Sequence, residues 1–173
     1  MKRRTLFAIV LVAAVPAALA VAGGAGGVGF SGQLFDPSLS SADLGMSATT
    51  GFGYGVDDDG SRVGGFGTSF LSESGSVAGG VGGMLVGREL RAGPFTLAFT
   101  LWGGLGGGAW ASRGYFLGYG SAQAELGVWI LPWMQVIAYV GYEALGNLVP
   151  GPPFSEVFLR TPVLGLRVAW GSP

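Results

Sequence analysis

The sequence has no cysteine and no histidine in 173 residues. Without cysteine there is no disulfide, no thiol nucleophile and no thiolate ligand for zinc. Without histidine the usual general base of a catalytic triad is missing. These absences exclude zinc sites of the His/Cys kind, thiol catalysis and histidine-dependent triads. We therefore expect no enzyme activity, no cofactor and no metal.

Charged residues make up only 11% of the chain, and several of the basic ones lie at its start. Residues 2–4 are basic, and the apolar run over 6–19 is followed by small residues typical of a cleavage site. Because the run is short for a bilayer-spanning helix, the pattern indicates a secretory signal peptide. We predict a signal peptide over 1–20, cleaved near Ala20 or Ala22, with an uncleaved anchor as the alternative.

The remainder of the chain, 21–173, has six arginines, no lysine and ten acids, a balance that disfavours electrostatic binding of nucleic acid. Glycine is abundant, at 35 residues, and each glycine inside a helix costs about 1 kcal/mol relative to alanine. Aromatic residues still reach 12%, which is more than a disordered chain usually carries. The composition therefore favours one ordered domain without long helices.

Small or polar residues alternate with apolar ones in segments of about 9 to 13 residues, a pattern typical of strands. In the clearest segment Leu97, Phe99 and Leu101 share one face, and threonine and alanine occupy the other. We predict eight strands, over 26–35, 45–56, 62–70, 76–89, 94–105, 119–130, 133–145 and 159–170.

The connections between these predicted strands differ in length. The odd connections, above all the first, fifth and seventh, are longer than the even ones. Up-and-down membrane barrels have short turns at one end and longer loops at the other. The pattern therefore predicts an all-β fold, an eight-stranded antiparallel up-and-down β-barrel.

Between Glu125 and Glu143 only Gln135 is plainly polar. As a helix this stretch would be about 25 Å long, which is marginal for a bilayer, and Pro132 would break its middle. Its valine, tryptophan, isoleucine and tyrosine residues favour strands. We predict a hairpin that turns at Leu131-Pro132.

The last predicted strand carries Gly165, Val168 and Trp170, a spacing that resembles the C-terminal strand signal of bacterial outer-membrane barrels. The chain also resembles small eight-stranded outer-membrane barrels in size, strand count and loop lengths. The resemblance implies a location in the bacterial outer membrane, with both ends periplasmic, the lipid bilayer as partner and a filled lumen. The longer loops would then have a structural or adhesive role, or bind an unknown protein or surface ligand.

Several charged residues fall in predicted strands, and four of them are candidates for the barrel interior: Glu125, Arg167, Arg88 and Glu143. An unpaired charge inside a barrel costs several kcal/mol, so charges that point inward must be paired. We predict a lumen charge network that joins Glu125 with Arg167, Arg88 or both. The functional alternative is a proton or ion path.

Aromatic residues lie near the ends of several predicted strands, as at the membrane interfaces of barrels. We predict an interfacial group at the short-turn end, although the parity of Trp129 also fits an interior position: Tyr54, Phe95, Trp129, Trp133 and Trp170. Aromatic residues in the longer connections are candidates for partner contacts or for a second interfacial group: Trp110, Tyr115, Phe116 and Phe154.

Two motifs have simpler interpretations than a ligand site. The stretch 57–60 resembles part of a calcium loop but lacks the distal glutamate, so we predict a hairpin turn. The glycine clusters over 79–83 and 103–108 are not followed by a lysine, which disfavours a phosphate-binding loop. We interpret inward glycines as space for Trp102, Tyr139 or an arginine.

The main alternative is a soluble exported barrel or sandwich, periplasmic or secreted, that binds an apolar ligand in its interior. The two hypotheses differ in the direction of the faces, because a membrane barrel is apolar outside and a soluble one is apolar inside. A barrel enzyme that acts on lipids would need a nucleophile and a base, and the absence of histidine disfavours it.

Overall fold

A computed structural model describes residues 24–33, 46–72, 77–110, 113–149 and 159–172, so the predicted signal peptide lies outside the described part. These residues form eight strands: β1 (Gly24–Gln33), β2 (Met46–Val56), β3 (Ser61–Ser72), β4 (Val77–Ala92), β5 (Phe95–Trp110), β6 (Arg113–Leu131), β7 (Met134–Asn147) and β8 (Leu159–Gly171).

The strands close into one antiparallel barrel in which each pairs with its neighbours along the chain and β8 pairs with β1. This confirms the predicted eight-stranded up-and-down barrel. The apolar stretch over 125–143 belongs to the β6–β7 hairpin, so the helix alternative is excluded. Closure pairs both edges of every strand, which removes the exposed edges that promote aggregation.

One end of the barrel, which we call the short-turn end, carries the β2–β3, β4–β5 and β6–β7 turns and both termini of the barrel. Residues 57–60 form the β2–β3 turn, where the Gly60 N–H donates to the Asp57 carbonyl at 2.8 Å. Gly60 and Gly93 have φ angles of 83° and 59°, which suit glycine best. The predicted turn over 57–60 is thus present.

The opposite end, which we call the loop end, is bridged by 34–45, 73–76, 111–112 and 148–158. The prediction of a long fifth connection is wrong, because β5 continues to Trp110 and β6 begins at Arg113. Glycines that suggested a break are strand residues: Gly106 pairs with Leu117 and Gly108 with Tyr115. Only the first and seventh connections remain long.

The faces of the wall alternate along each strand, and the packed core is the lumen. Phe66 lies at its centre, with ring centroids 4.9 Å from Trp102 and 5.5 Å from Tyr119. Glycines make space for such side chains, since the ring of Tyr139 covers its cross-strand partner Gly165 so closely that a Cβ at residue 165 would overlap it.

Candidate functional site

Four buried charged side chains meet in the lumen, and we call them the lumen ion cluster: Arg62, Glu89, Glu125 and Arg167. Glu125 lies between the two arginines, with Oε2 2.7 Å from Arg62 Nη1 and Oε1 2.8 Å from Arg167 Nη1. Arg62 also donates to Glu89, through Nε at 2.7 Å and through Nη2. The cluster therefore joins β3, β4, β6 and β8 across the lumen.

Neutral side chains extend the hydrogen bonding of this cluster. Thr100 Oγ1 donates to Glu125 Oε1 at 2.8 Å, and Trp102 Nε1 donates to Thr100 Oγ1 at 2.9 Å. Arg167 Nη2 donates to Gln123 Oε1. A buried ion pair is tolerated only where its geometry is good and further hydrogen bonds satisfy the remaining atoms. These contacts supply that condition for Glu125, which is only 4% exposed.

Aromatic rings cover the two arginines of the cluster. The guanidinium carbon of Arg167 is 3.8 Å from the ring centroid of Tyr139 and 4.4 Å from that of Trp102. The same carbon of Arg62 is 4.4 Å from the ring centroid of Tyr54. Because guanidinium groups are planar and weakly hydrated, they stack on aromatic rings where an ammonium group would be less favourable.

Side chains fill the lumen towards the loop end as well. Phe66 is in ring contact with both Trp102 and Tyr119, and Tyr119 donates through its hydroxyl to Glu143 Oε1 at 2.8 Å. A barrel of eight strands is just wide enough to be filled by side chains. The interior described here is accordingly a packed core of ion pairs and aromatic rings.

The outer face of the wall has the opposite character. Its large apolar side chains are highly exposed, for example Leu97 at 56%, Phe99 at 57% and Leu166 at 61%. They occur on every strand except β2: Phe30, Val63, Met84, Val86, Leu90, Phe95, Leu97, Phe99, Leu101, Leu105, Leu126, Ile130, Val140, Tyr142, Leu164, Leu166 and Trp170. Soluble monomers rarely expose a contiguous apolar surface larger than a few hundred Å².

A cup of about 410 Å³ opens at the short-turn end, between the β2–β3 turn and β4. Asp57, Asp58, Asp59, Glu89 and Arg91 line it, and Arg91 Nη2 donates to Glu89 Oε1 at 3.1 Å. The described residues contain no group of three acidic side chains placed to hold a metal ion.

The carboxylate of Asp59 stabilises the turn itself. It accepts the Ser61 N–H at 2.9 Å and the Ser61 hydroxyl at 2.9 Å. Both hydrogen bonds favour the ionised form of Asp59 and so lower its pKa below the ordinary value, with the bond from the Ser61 N–H contributing most.

The structure brings together two of the four residues of the predicted charge network, since Glu125 pairs with Arg167. Glu143 is in the lumen but contacts Tyr119 rather than the cluster. The inclusion of Arg88 needs correction. Arg88 is exposed, and its cross-strand partner on β5 is Phe99, whose side chain points outward. The next residue of β4, Glu89, points inward.

The predicted aromatic group at the short-turn end needs correction as well. Phe95, Trp133 and Trp170 are exposed there. Tyr54 is buried against Arg62, because it shares the inward face of β2 with Phe52. Trp129 also packs against the lumen core, and its ring lies 5.6 Å from the guanidinium carbon of Arg91. Nearness to a turn does not determine which face a residue occupies.

The residues proposed for loop contacts lie mostly in strands. Trp110 is the last residue of β5, and Tyr115 and Phe116 belong to β6. Tyr115 is half-buried against the lumen core, whereas Phe116 is exposed on the outer face. Phe154 lies outside the described residues.

Sequence reasoning missed Arg62, Glu89 and Arg91, which complete the charge balance of the lumen. Arg62 is the first residue of the predicted strand over 62–70, and parity is hardest to read at the end of a strand. The signal for Glu89 was present, because Val81, Leu85 and Glu89 recur at even spacing and all three are buried. Even spacing along a strand places residues on one face.

Comparisons of this chain with protein-family models, with curated proteins and with solved structures gave no match. None of the described residues belongs to a helix long and apolar enough to cross a membrane.

Proposed function

We propose that this protein is exported and forms a small β-barrel in a bacterial outer membrane, with a closed lumen and a structural, adhesive or partner-binding role. The observation that carries the proposal is the outward direction of the apolar face. Leu97, Phe99 and Leu101 of β5 are exposed, whereas Thr96, Ala98 and Thr100 between them are buried. An apolar band around a barrel is stable when acyl chains cover it.

The interior supports a closed barrel rather than a pore or a ligand carrier. A lipocalin-like carrier needs an empty apolar cavity, and here the lumen holds the ion cluster together with packed aromatic rings. Both glutamates of the cluster are engaged by arginines, so no carboxylate of the cluster is left to bind a passing cation. The soluble ligand-binding alternative therefore has less support.

We place the adhesive or partner-binding role at the loop end, where the two long connections lie. The first two residues of the connection over 148–158 are apolar and exposed, with Leu148 at 50% and Val149 at 60%. Leu148 donates its N–H to the Phe116 carbonyl at 2.9 Å, which fixes this rim to β6. A fixed apolar rim suits either the outer membrane interface or a protein partner.

The test is to express the full chain in a Gram-negative host and to separate the membranes. We expect the protein in the outer-membrane fraction, resistant to extraction with urea, and migrating faster on SDS gels before boiling than after it. Recovery in the soluble periplasmic fraction, with β-rich circular dichroism in buffer alone, would contradict the proposal. A variant with Leu97→Asp and Leu101→Asp serves as the control that should not insert.

A further inference from the structure

One charged side chain interrupts the apolar outer face. Among the strand residues whose side chains the structure describes, Arg88 of β4 is the only charged one on that face. The described glutamates of the strands, Glu89, Glu125 and Glu143, all point into the lumen. The outward face thus carries an isolated positive charge.

The surroundings of Arg88 are mainly apolar. Its neighbours on the same face of β4 are Val86 and Leu90, and its cross-strand partners are Phe99 on β5 and Ser61 on β3. Val86, Leu90 and Phe99 are all exposed large apolar residues. Arg88 also lies near the short-turn end, since β4 ends at Ala92. Arg88 therefore lies at the margin of the apolar band on the side of the short-turn end, rather than at the middle of the band.

Arg88 forms no salt bridge with a described acidic side chain, although its charge is near enough to the Asp59 carboxylate to help lower the pKa of that group. Among the described residues, Arg88 donates one hydrogen bond, from Nη2 to the Asp59 carbonyl at 3.3 Å. The nearby Asp59 carboxylate is directed to Ser61 instead. A guanidinium group has five N–H donors in a planar arrangement that matches phosphate, so most of its donors remain for a partner outside the chain.

On the basis of the proposed membrane location, we propose that Arg88 binds the phosphodiester headgroup of a phospholipid at the short-turn interface. Val86, Phe99 and Leu90 would contact the acyl chains of the same lipid. The position fits the physical requirement, because an arginine is costly at the bilayer centre but favourable where its long side chain reaches the headgroups. The opposite charges of guanidinium and phosphate supply the complementarity.

The experiment compares the full wild-type protein, purified from membranes, with Arg88→Gln and Arg88→Lys. Arg113→Gln is the matched control, because Arg113 is exposed at the loop end of the barrel. Retained lipid is counted by native mass spectrometry, and affinity is titrated with phosphatidylglycerol and with a neutral galactolipid that lacks phosphate. A parallel titration includes excess inorganic phosphate as competitor.

We expect Arg88→Gln to weaken phosphatidylglycerol binding about fivefold, the effect of one arginine at an anionic lipid surface. Arg88→Lys should keep most of the affinity, and Arg113→Gln should bind phosphatidylglycerol as tightly as the wild type does. The affinity for the galactolipid should be the same whichever residue occupies position 88. Equal affinity of wild type and Arg88→Gln in folded barrels would overturn the inference, as would complete displacement by inorganic phosphate. A wild-type protein that never gives a heat-modifiable barrel in membranes would instead overturn the proposed function on which the inference rests.

Discussion

Strand β5 allows the two faces of the barrel wall to be compared residue by residue. Thr96, Ala98 and Thr100 point inward, and the two threonines make hydrogen bonds to Gln135 and Glu125. Leu97 and Leu101 point outward and are about half exposed. The inner face depends on directed contacts between named atoms, whereas the outer face depends only on being apolar. Changes of shape or charge should therefore matter inside, and changes of polarity should matter outside.

The largest effect is expected inside, from Glu125→Gln. This change leaves Arg62 and Arg167 without their shared counter-charge, and breaking one side of a buried pair costs about 3 to 5 kcal/mol. Glu143→Gln is the matched control, because among the described residues Glu143 accepts only the Tyr119 hydroxyl, and its loss should cost about 1 kcal/mol. The free energies of unfolding from urea titrations in vesicles measure both. Equal costs would contradict a special role of the cluster.

The next largest effect is expected outside, from Leu101→Arg in the middle of β5. An arginine on the lipid face costs about 2 to 4 kcal/mol at the bilayer midplane and about 0 to 1 kcal/mol near the interface. Leu90→Arg, two residues before β4 ends, is the interfacial counterpart. The same urea titrations should therefore rank Leu101→Arg well below Leu90→Arg in stability. If neither substitution changed the free energy of unfolding, water and not lipid would cover this face.

Two glycines provide the smallest and most direct comparison of the faces. A Cβ at Gly165 would overlap the Tyr139 ring inside, whereas a Cβ at Gly103 meets nothing within 4 Å outside. We expect Gly165→Ala to destabilise by about 1 to 3 kcal/mol, as overpacking does. Gly103→Ala should stabilise by about 0.4 to 1 kcal/mol, since it reduces the entropy of the unfolded chain. The temperature at which half of the protein loses its folded gel mobility measures the stability of each variant. A change in the same direction for both variants would contradict the comparison.

The architecture could be predicted because its signals are repeated along the chain. Alternation over 96–101 and the turn residues at 57–60 and 131–132 each point to the same strand order. The extents of β5 and β6 could not be predicted, since glycine lacks the side chain that reveals alternation. Their length follows from cross-strand pairing, which places Gly108 opposite Tyr115.

The site could be predicted only in part. Glu125 and Arg167 were identified because each is a charge within a clearly alternating strand. Arg88 was chosen over Glu89 because the register of a glycine-rich strand is weakly specified, and a shift of one residue exchanges the two faces. The parity of Trp129 fits the interior position that it occupies, whereas its nearness to the β6–β7 turn suggested the interface.

The central claim, that lipid covers the outer face of β5, is tested most directly with single nitroxide labels. The chain has no cysteine, so Leu97→Cys, Phe99→Cys, Leu101→Cys and Asp58→Cys can each be labelled without background. In vesicles we expect the three β5 labels to collide more with oxygen than with a water-soluble nickel complex, and the Asp58→Cys label in the β2–β3 turn to show the reverse. If the labels on β5 are as accessible to nickel as the label in the turn, the outer face is in water and the membrane-barrel account is wrong.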